Sequence, residues 1–213
     1  MILINFLILF LLLLTFFFKN ENEEYFLLVK FTIKFDWLTA SNLNMSTEDK
    51  ILKQIEFYFS DSNLPYDKFL RSLVANDPQG FVSLETIGSF KKMKEISTDM
   101  KEILVALSKS KMLEVDKDGK NVRRVTPLPE SSVQDERSIY AKGFSEDATL
   151  DIIKPYFEPF GEVLCVRLRY TKASPEKTFK GSVFVEFSSE KEAKSVVEKE
   201  IKVNDTPLKM LMK

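Results

Sequence analysis

Apolar residues recur at helical spacing in the first half of the chain. The segment from Glu48 onward reads EDKILKQIEFYFSD, and its apolar positions are three or four residues apart, which is the spacing of one helix face. Ser46 or Thr47 stands where a residue that caps the amino end of a helix is expected. A polar run and Pro65 follow Phe59. The pattern therefore predicts a helix that ends near Phe59.

Further short helices and a hairpin are predicted before residue 126. Turn residues separate three apolar segments, which predict helices at about Tyr66 to Ala75, Leu84 to Phe90 and Thr98 to Lys109. The next segment reads MLEVDKDGKNVRRV, in which two short apolar runs flank an Asp-Gly pair. Such a pair supplies the positive φ of a hairpin turn. Helices followed by a terminal hairpin are typical of a winged helix.

The second half of the chain has a different pattern, and a linker precedes it. The sequence PLPESS at 127–132 contains two prolines, which exclude helix and interior strand. The elements expected beyond it have the order βαββαβ of a ferredoxin-like sandwich, so the chain is of the α+β class. Pro155 predicts a kink or an early end of the first helix. The predicted elements are strand Ser138 to Lys142, helix Leu150 to Phe157, strand Val163 to Tyr170, strand Gly181 to Phe187, helix Glu190 to Glu200 and strand Leu208 to Met212.

The chain begins with an apolar extension that shares no pattern with either half. Residues 1–18 read MILINFLILFLLLLTFFF, which is long enough for a membrane span. A cleaved signal peptide fits less well, since no basic residue precedes the run and no small-residue cleavage site follows it. Met45 resembles a fresh start, so residues 1–44 are also interpreted as translated upstream sequence. The expected domains are therefore an extension (1–44), a winged helix (45–130) and a sandwich (131–213).

The loss of residues 1–44 is expected to leave the binding affinity and the stability of the two domains unchanged. Peptide mapping of the endogenous protein checks the start site. Abundant peptides that span Glu21 to Lys50 would contradict a start at Met45 and restore the membrane-anchor interpretation.

Composition excludes several kinds of site. The chain has no histidine and a single cysteine, Cys165, so structural disulfides, Cys/His zinc sites and nucleophiles activated by histidine are absent. No cofactor or metal is indicated. The 31 basic and 32 acidic residues give a net charge of -1, so any attraction to a nucleic acid has to be local.

Two segments of the sandwich resemble the RNP motifs of RNA recognition motifs. Residues 180–187 read KGSVFVEF and resemble the longer motif, and residues 139–144 read IYAKGF and resemble the shorter one. The resemblance implies that Tyr140 and Phe184 stack on bases. Ser182 occupies a third position that is usually aromatic. A sheet covered by Tyr140 and Phe184, or a surface for a protein partner, is the alternative interpretation.

The winged helix resembles a La motif. Residues 54–70 read QIEFYFSDSNLPYDKFL and resemble the opening of that motif, and the likeness continues through IGSFKKM, ALSKSK and PLPE. The two domains together resemble the La module of La proteins. The resemblance implies a pocket between the domains for 3′-terminal UUU-OH ends of new RNA polymerase III transcripts.

Carried over position by position, the resemblance implies a set of pocket residues. Asp67 would accept hydrogen bonds from the terminal ribose hydroxyls, and Phe57 departs from the commoner tyrosine. Core packing of the aromatic residues, and helix capping by Asp67, are the simpler alternatives. The implied pocket residues are Gln54, Phe57, Tyr58, Asp61, Asp67, Phe69 and Phe90.

The expected function is that of a La-type RNA-binding protein without enzymatic activity, which protects oligouridylate ends, including those of tRNA precursors, from exonucleases. We expect a monomer whose partner is RNA, located in the nucleus as the family implies, with a membrane as a partner only if residues 1–18 are translated. A La-related translational regulator that binds mRNA is a rival, although the close PLPE coupling and the intact pocket aromatics argue against it. The other rival is a membrane-tethered module that binds proteins.

Overall fold

The computed structural model describes residues 45–129, 134–171, 177–204 and 206–213. The interpretations of residues 1–44 lie outside these ranges, as does the end of the predicted linker. Within these ranges, the structure contains no helix with the length and apolar character that a membrane crossing requires. Two separate hydrophobic cores organise the described chain. One core belongs to a helical domain that precedes residue 130, and the other belongs to a sheet domain that follows residue 133.

The helical domain is built on a long first helix. Ser46 caps it as predicted, because its hydroxyl oxygen accepts a hydrogen bond from the Asp49 backbone N–H. One face of this helix buries Ile51, Ile55 and Phe59 completely. The helices of the domain are α1 (Thr47–Phe59), α2 (Lys68–Asn76), α3 (Leu84–Gly88), α4 (Lys91–Ile96) and α5 (Met100–Leu107).

A small antiparallel sheet completes the winged helix. Strands β2 (Leu113–Val115) and β3 (Asn121–Arg124) form the predicted hairpin, and Gly119 supplies the positive φ at its turn, +68°. Strand β1 (Val82–Ser83) pairs with the other side of β3. The prediction of a winged helix is confirmed.

The sheet domain contains a four-stranded antiparallel sheet with helices on one face. The strands are β4 (Ser138–Lys142), β5 (Val163–Tyr170), β6 (Phe179–Phe187) and β9 (Lys209–Met212), in the spatial order β5-β6-β4-β9. Helices α6 (Leu150–Ile153) and α7 (Glu190–Val197) cover one side. The pair β7 (Lys202–Val203) and β8 (Thr206–Pro207) precedes the last strand. The predicted ferredoxin-like order is confirmed.

The differences from the predicted elements have local causes. Helix α6 ends at Ile153 and continues as the 3₁₀ turns Lys154–Tyr156 and Glu158–Phe160, because Pro155 cannot donate a helical hydrogen bond. The predicted helix from Tyr66 begins only at Lys68, since Asp67 caps it. Helices α3, α5 and α7 are shorter than predicted, and α4, β1, β7 and β8 were not predicted.

Candidate nucleic-acid interface

An aromatic cluster joins α1 to the starts of α2 and α4. The ring centroids of Tyr58 and Phe90 are 5.1 Å apart and meet edge to face at 81°. Phe69 lies 6.0 Å from Phe90, and Phe57 lies 6.4 Å from Tyr58. Phe69 is 57% exposed, whereas Tyr58 is buried. The cluster is therefore buried on the side of Tyr58 and open on the side of Phe69, where a nucleobase could stack.

The hydroxyl of Tyr58 is held in its neutral form. Burial raises the pKa of Tyr58 to about 12, and the nearby carboxylates of Asp67 and Glu95 add to this rise. A hydrogen bond with the side chain of Gln54 acts in the opposite direction on the pKa. Gln54 and Tyr58 are one helical turn apart on α1, so the helix itself brings the amide and the phenol together.

Asp67 lies beside the cluster and also caps α2. Its Oδ1 atom accepts a hydrogen bond of 2.9 Å from the Leu70 backbone N–H. The simpler alternative, that Asp67 caps a helix, is therefore correct for its Oδ1 atom. Capping orients the carboxylate at the amino end of α2, next to Phe69 and close enough to Tyr58 to raise the pKa of its hydroxyl.

Asp61 has a different setting from the other implied pocket residues. Its Oδ1 atom lies 2.7 Å from Nη1 of Arg124, and the same guanidinium nitrogen donates to the Phe59 carbonyl at 2.9 Å. The Asp61 carbonyl also accepts a hydrogen bond from the Gln134 side chain. Asp61 therefore fastens the turn after α1 to the wing and to the start of the sheet domain.

A cleft of about 810 Å³ separates the two domains next to the aromatic cluster. Gln54 and Phe57 line its helical side, together with Lys50, Lys53 and Lys92. The sheet side is formed by residues of β5 and by the segment around α6. Among its lining residues are Lys154, Cys165 and Val166. The described structure thus has an open groove between the domains. Its walls carry these four lysines and, in equal number, the carboxylates of Glu95, Asp151, Glu158 and Glu162.

A second aromatic surface lies on the open face of the sheet. Tyr140 and Phe184 are cross-strand partners on β4 and β6, with ring centroids 5.8 Å apart. Their neighbours Val183, Val185 and Phe187 are fully buried on the helix side, as the alternation of the strand predicts.

Two cations that the sequence reasoning missed lie over these rings. The Arg169 guanidinium is 5.2 Å from the Tyr140 centroid and 5.4 Å from the Phe184 centroid, and Lys213 is 5.1 Å from Phe184. Arg169 Nη1 also lies 3.4 Å from the hydroxyl of Ser182. The guanidinium plane therefore covers the position where an aromatic residue is usual. The alternation of side chains along the strand sequence VRLRY puts Arg167 and Arg169 on one face. This pattern could have predicted a cation on the open face of the sheet.

The same face becomes more basic toward one end of the sheet. Lys142 and Lys209 are directly opposed on β4 and β9 and both are exposed. Like charges at opposed positions repel each other, and a phosphate between them would relieve the repulsion. Leu211 adds an exposed apolar side chain, 52% accessible, opposite Tyr140.

The comparisons with known proteins agree with this division. The family model for the La domain matches residues 51–109, and the model for the RNA recognition motif matches residues 139–209. The chain is 44% identical over 176 residues to the Lupus La protein homolog of Mus musculus, an alignment that covers 78% of this chain and 41% of the relative.

Other matches cover a smaller share of the relative's length, or only one of the two domains of this chain. La-related protein 7 of Mus musculus is 35% identical over 149 residues, which is 70% of this chain and 26% of that protein. The solution structure of the La motif of the Dictyostelium discoideum La protein is 54% identical, covers 41% of this chain and 99% of that one, and has a TM-score of 0.35. The matched part of the chain thus spans about two fifths of the length of the Lupus La protein homolog and about a quarter of La-related protein 7.

Proposed function

We propose that this chain, which carries a La module (a La domain followed by an RNA recognition motif), binds the 3′-terminal UUU-OH ends of nascent RNA polymerase III transcripts. The observation that carries the proposal is the aromatic cluster of Tyr58, Phe69 and Phe90 beside the Asp67 carboxylate, at the edge of an open interdomain cleft. Unstacked bases are commonly bound by stacking on aromatic side chains. A carboxylate is well suited to accept hydrogen bonds from ribose hydroxyls.

Each pocket residue has a role in this proposal. Phe57, Phe69 and Phe90 supply stacking surfaces, and Gln54 with Tyr58 supplies polar groups for the edge of a base. Asp67 receives the terminal ribose hydroxyls. Asp61 is the last residue of the set. Its carboxylate already pairs with Arg124, so it would contact RNA while it keeps this ion pair.

The sheet face provides a second binding surface in the same proposal. Tyr140 and Phe184 stack on nucleotides, and Arg169 adds a planar cation above both rings. Exposed lysines around the sheet contact phosphates. The proposal assigns end recognition to the winged helix, where the Asp67 carboxylate lies beside the aromatic cluster.

Binding of the end is sufficient for the proposed biological role. An occupied 3′ end is withheld from exonucleases while precursors mature, tRNA precursors among them, and no catalytic group is needed. The proposal places the protein in the nucleus, as a monomer, with domains at 45–130 and 131–213. The match to La-related protein 7 supports the alternative that this chain is a La-related protein.

The test compares short oligo(U) and oligo(A) that end in a free 3′-OH, by fluorescence anisotropy with the full chain. We expect oligo(U) to bind more tightly, and Phe69→Ala to weaken oligo(U) binding. Val105→Ala is the matched control, because Val105 is a similarly exposed apolar residue of the same domain, at 48% against 57% for Phe69. Equal binding of the two oligonucleotides would refute the proposal. An equal decrease of oligo(U) affinity in Phe69→Ala and Val105→Ala would show that the aromatic cluster is not the binding site.

A further inference from the structure

The carboxylate of Glu186 joins the two domains from within the open face of the sheet. Glu186 is fully buried although its strand alternation puts it on the same face as Phe184. Its Oε1 atom accepts a hydrogen bond of 2.7 Å from the hydroxyl of Ser62. Ser62 belongs to the turn after α1, so this buried hydrogen bond links residues of the two domains that are 124 positions apart.

Arg167 makes a second connection at the same place. Its guanidinium lies 3.2 Å from Glu186 Oε2, donates a hydrogen bond to the Ser62 carbonyl, and stands 4.3 Å from the centroid of the Tyr66 ring. One side chain of β5 thus contacts the backbone and an aromatic ring of the helical domain. A guanidinium over an aromatic face is attractive, more so where water is excluded.

The carboxylate of Glu186 finds its charged partners within the sheet domain itself. Arg137 pairs with Glu186 Oε1 at 2.8 Å, and Arg167 also belongs to the sheet domain, so Glu186 keeps both guanidinium groups when the helical domain is displaced. A buried carboxylate without such partners would be strongly unfavourable. The contact between the domains is therefore polar and directional, and it adds to a carboxylate that is already satisfied.

We infer that Ser62, Tyr66, Arg167 and Glu186 fix the orientation of the two domains before RNA binds, and act as positioning residues for RNA. The second half of this inference rests on the proposed function. Ser62 and Tyr66 lie in the same turn as Asp67, and Glu186 lies two residues from Phe184 on β6. The cluster therefore holds the end-binding pocket at a set distance from the stacking surface.

A fixed orientation lowers the cost of binding an RNA that reaches both surfaces. When domains move freely, binding has to order them as well as the RNA, and this ordering reduces the affinity. The cluster removes that cost in advance. Its residues touch no nucleotide in this role, so they are expected to affect affinity only through the relative position of the domains.

The test uses ¹⁵N relaxation of the full chain without RNA, which reports the rotational correlation time of each domain. We expect one shared correlation time in the wild type, and two different ones in Arg167→Gln and in the double variant Ser62→Ala with Tyr66→Ala. Arg167→Gln leaves Glu186 paired with Arg137, and the double variant changes only the helical domain. Arg123→Gln is the control, because Arg123 forms an ion pair of 2.9 Å with Glu114 inside one domain.

RNA affinity provides the second measurement. Oligo(U) binding is expected to weaken about tenfold in both cluster variants, the change that corresponds to removal of one hydrogen bond to a charged group, and to stay unchanged in Arg123→Gln. Independent tumbling in the wild type overturns the fixed orientation, and shared tumbling in the variants overturns its assignment to these four residues. Separate tumbling with unchanged affinity overturns the positioning role. Failure of the wild type to bind oligo(U) refutes the proposed function, while the relaxation result still decides the orientation.

Discussion

At the residue scale, the two half-buried aromatic rings on the open face of the sheet lie beneath a cation. Arg169 lies over both Tyr140 and Phe184, so a base that stacks on either ring also meets or displaces the guanidinium. Tyr140→Ala or Phe184→Ala is expected to weaken oligo(U) binding by about 1 to 3 kcal/mol, because each removes one stacking surface. Fluorescence anisotropy with the full chain measures this decrease in affinity.

Tyr170→Ala is the matched control for this prediction. Tyr170 is an exposed aromatic residue of the same sheet, but it packs against buried Phe179, with ring centroids 6.1 Å apart. Its removal is expected to leave the affinity unchanged. If all three alanine variants bind oligo(U) like the wild type while folded, the face of the sheet is not an RNA surface.

Asp67 combines a structural role with a proposed recognition role, and one substitution separates them. Asparagine caps helices about as well as aspartate, so Asp67→Asn keeps the hydrogen bond to Leu70 and removes only the charge. A 3′-phosphate places negative charge near this carboxylate and removes a donor. We expect the wild type to prefer UUU-OH to UUU-phosphate, and Asp67→Asn to narrow that preference.

Asp99→Asn is the control for the charge of a capping aspartate. Asp99 caps α5 in the same manner, with Oδ1 2.8 Å from the Lys101 backbone nitrogen. Its substitution is expected to leave the preference between the two ends unchanged. Competition binding with the two trinucleotide ends measures the preference, and equal affinity of the wild type for both would exclude recognition of the terminal hydroxyl.

At the scale of elements, β6 depends on a close backbone approach at Gly181. Gly181 has φ of +62°, and a Cβ there would collide with the carbonyl oxygen of Phe144. Gly181→Ala is therefore expected to destabilise β4 and β6 by about 3 kcal/mol, the upper part of the usual range for single substitutions. Hydrogen exchange of the β4 and β6 amides measures this local stability.

Gly119→Ala separates the clash from the backbone strain. Gly119 has a similar φ of +68°, but the nearest atom to its Cβ would be a flexible Leu104 methyl group at 3.6 Å. Only the cost of a left-handed conformation remains there, about 1 kcal/mol. Similar decreases in stability in both variants would show that Phe144 moves aside without cost.

Elements with a clear period could be predicted from the sequence, and very short ones could not. Strand β4 matches its predicted bounds, and Ile139 and Ala141 are fully buried on the helix side whereas Lys142 is exposed on the other face. Strand β1 has only two residues, and α4 reads KKMKEI with a single buried residue. Neither contains a full period. The formation of β1 depends on pairing with β3, about 40 residues away, and no local pattern encodes that pairing.

The candidate site was predictable where it rests on motif positions within one domain. Phe69 and Phe90 fall in one cluster as their La-motif positions imply. The pairing of Asp61 with Arg124, and of Ser62 with Glu186, joins segments 63 or more residues apart. Only the folded arrangement brings these partners together. The assignment of the site residues to RNA stays a prediction.

At the scale of the whole molecule, the net charge of -1 makes the local placement of cations decisive. Lys142 and Lys209 face each other on the open sheet. The double variant Lys142→Gln with Lys209→Gln is expected to reduce the slope of log affinity against log salt by about 0.7 for each phosphate that is no longer neutralised. A salt titration of oligo(U) binding measures this slope.

Lys101→Gln with Lys117→Gln is the control pair for the salt dependence. Both residues are exposed lysines of the helical domain, and the charge change is the same. Their substitution is expected to leave the slope unchanged. If both pairs lower the slope equally, the effect comes from total charge and the sheet makes no localised phosphate contact.

The turn that follows α1 carries Ser62, which contacts Glu186, and ends at Asp67, which faces the proposed RNA end. Thermodynamic linkage makes the two contacts reciprocal: the factor by which domain orientation strengthens RNA binding is the factor by which RNA strengthens that orientation. An oligouridylate end would therefore stiffen the whole module when it enters the pocket. A substitution of Arg167 on β5, which contacts no nucleotide in this proposal, would lower the affinity for the 3′ end by the same factor.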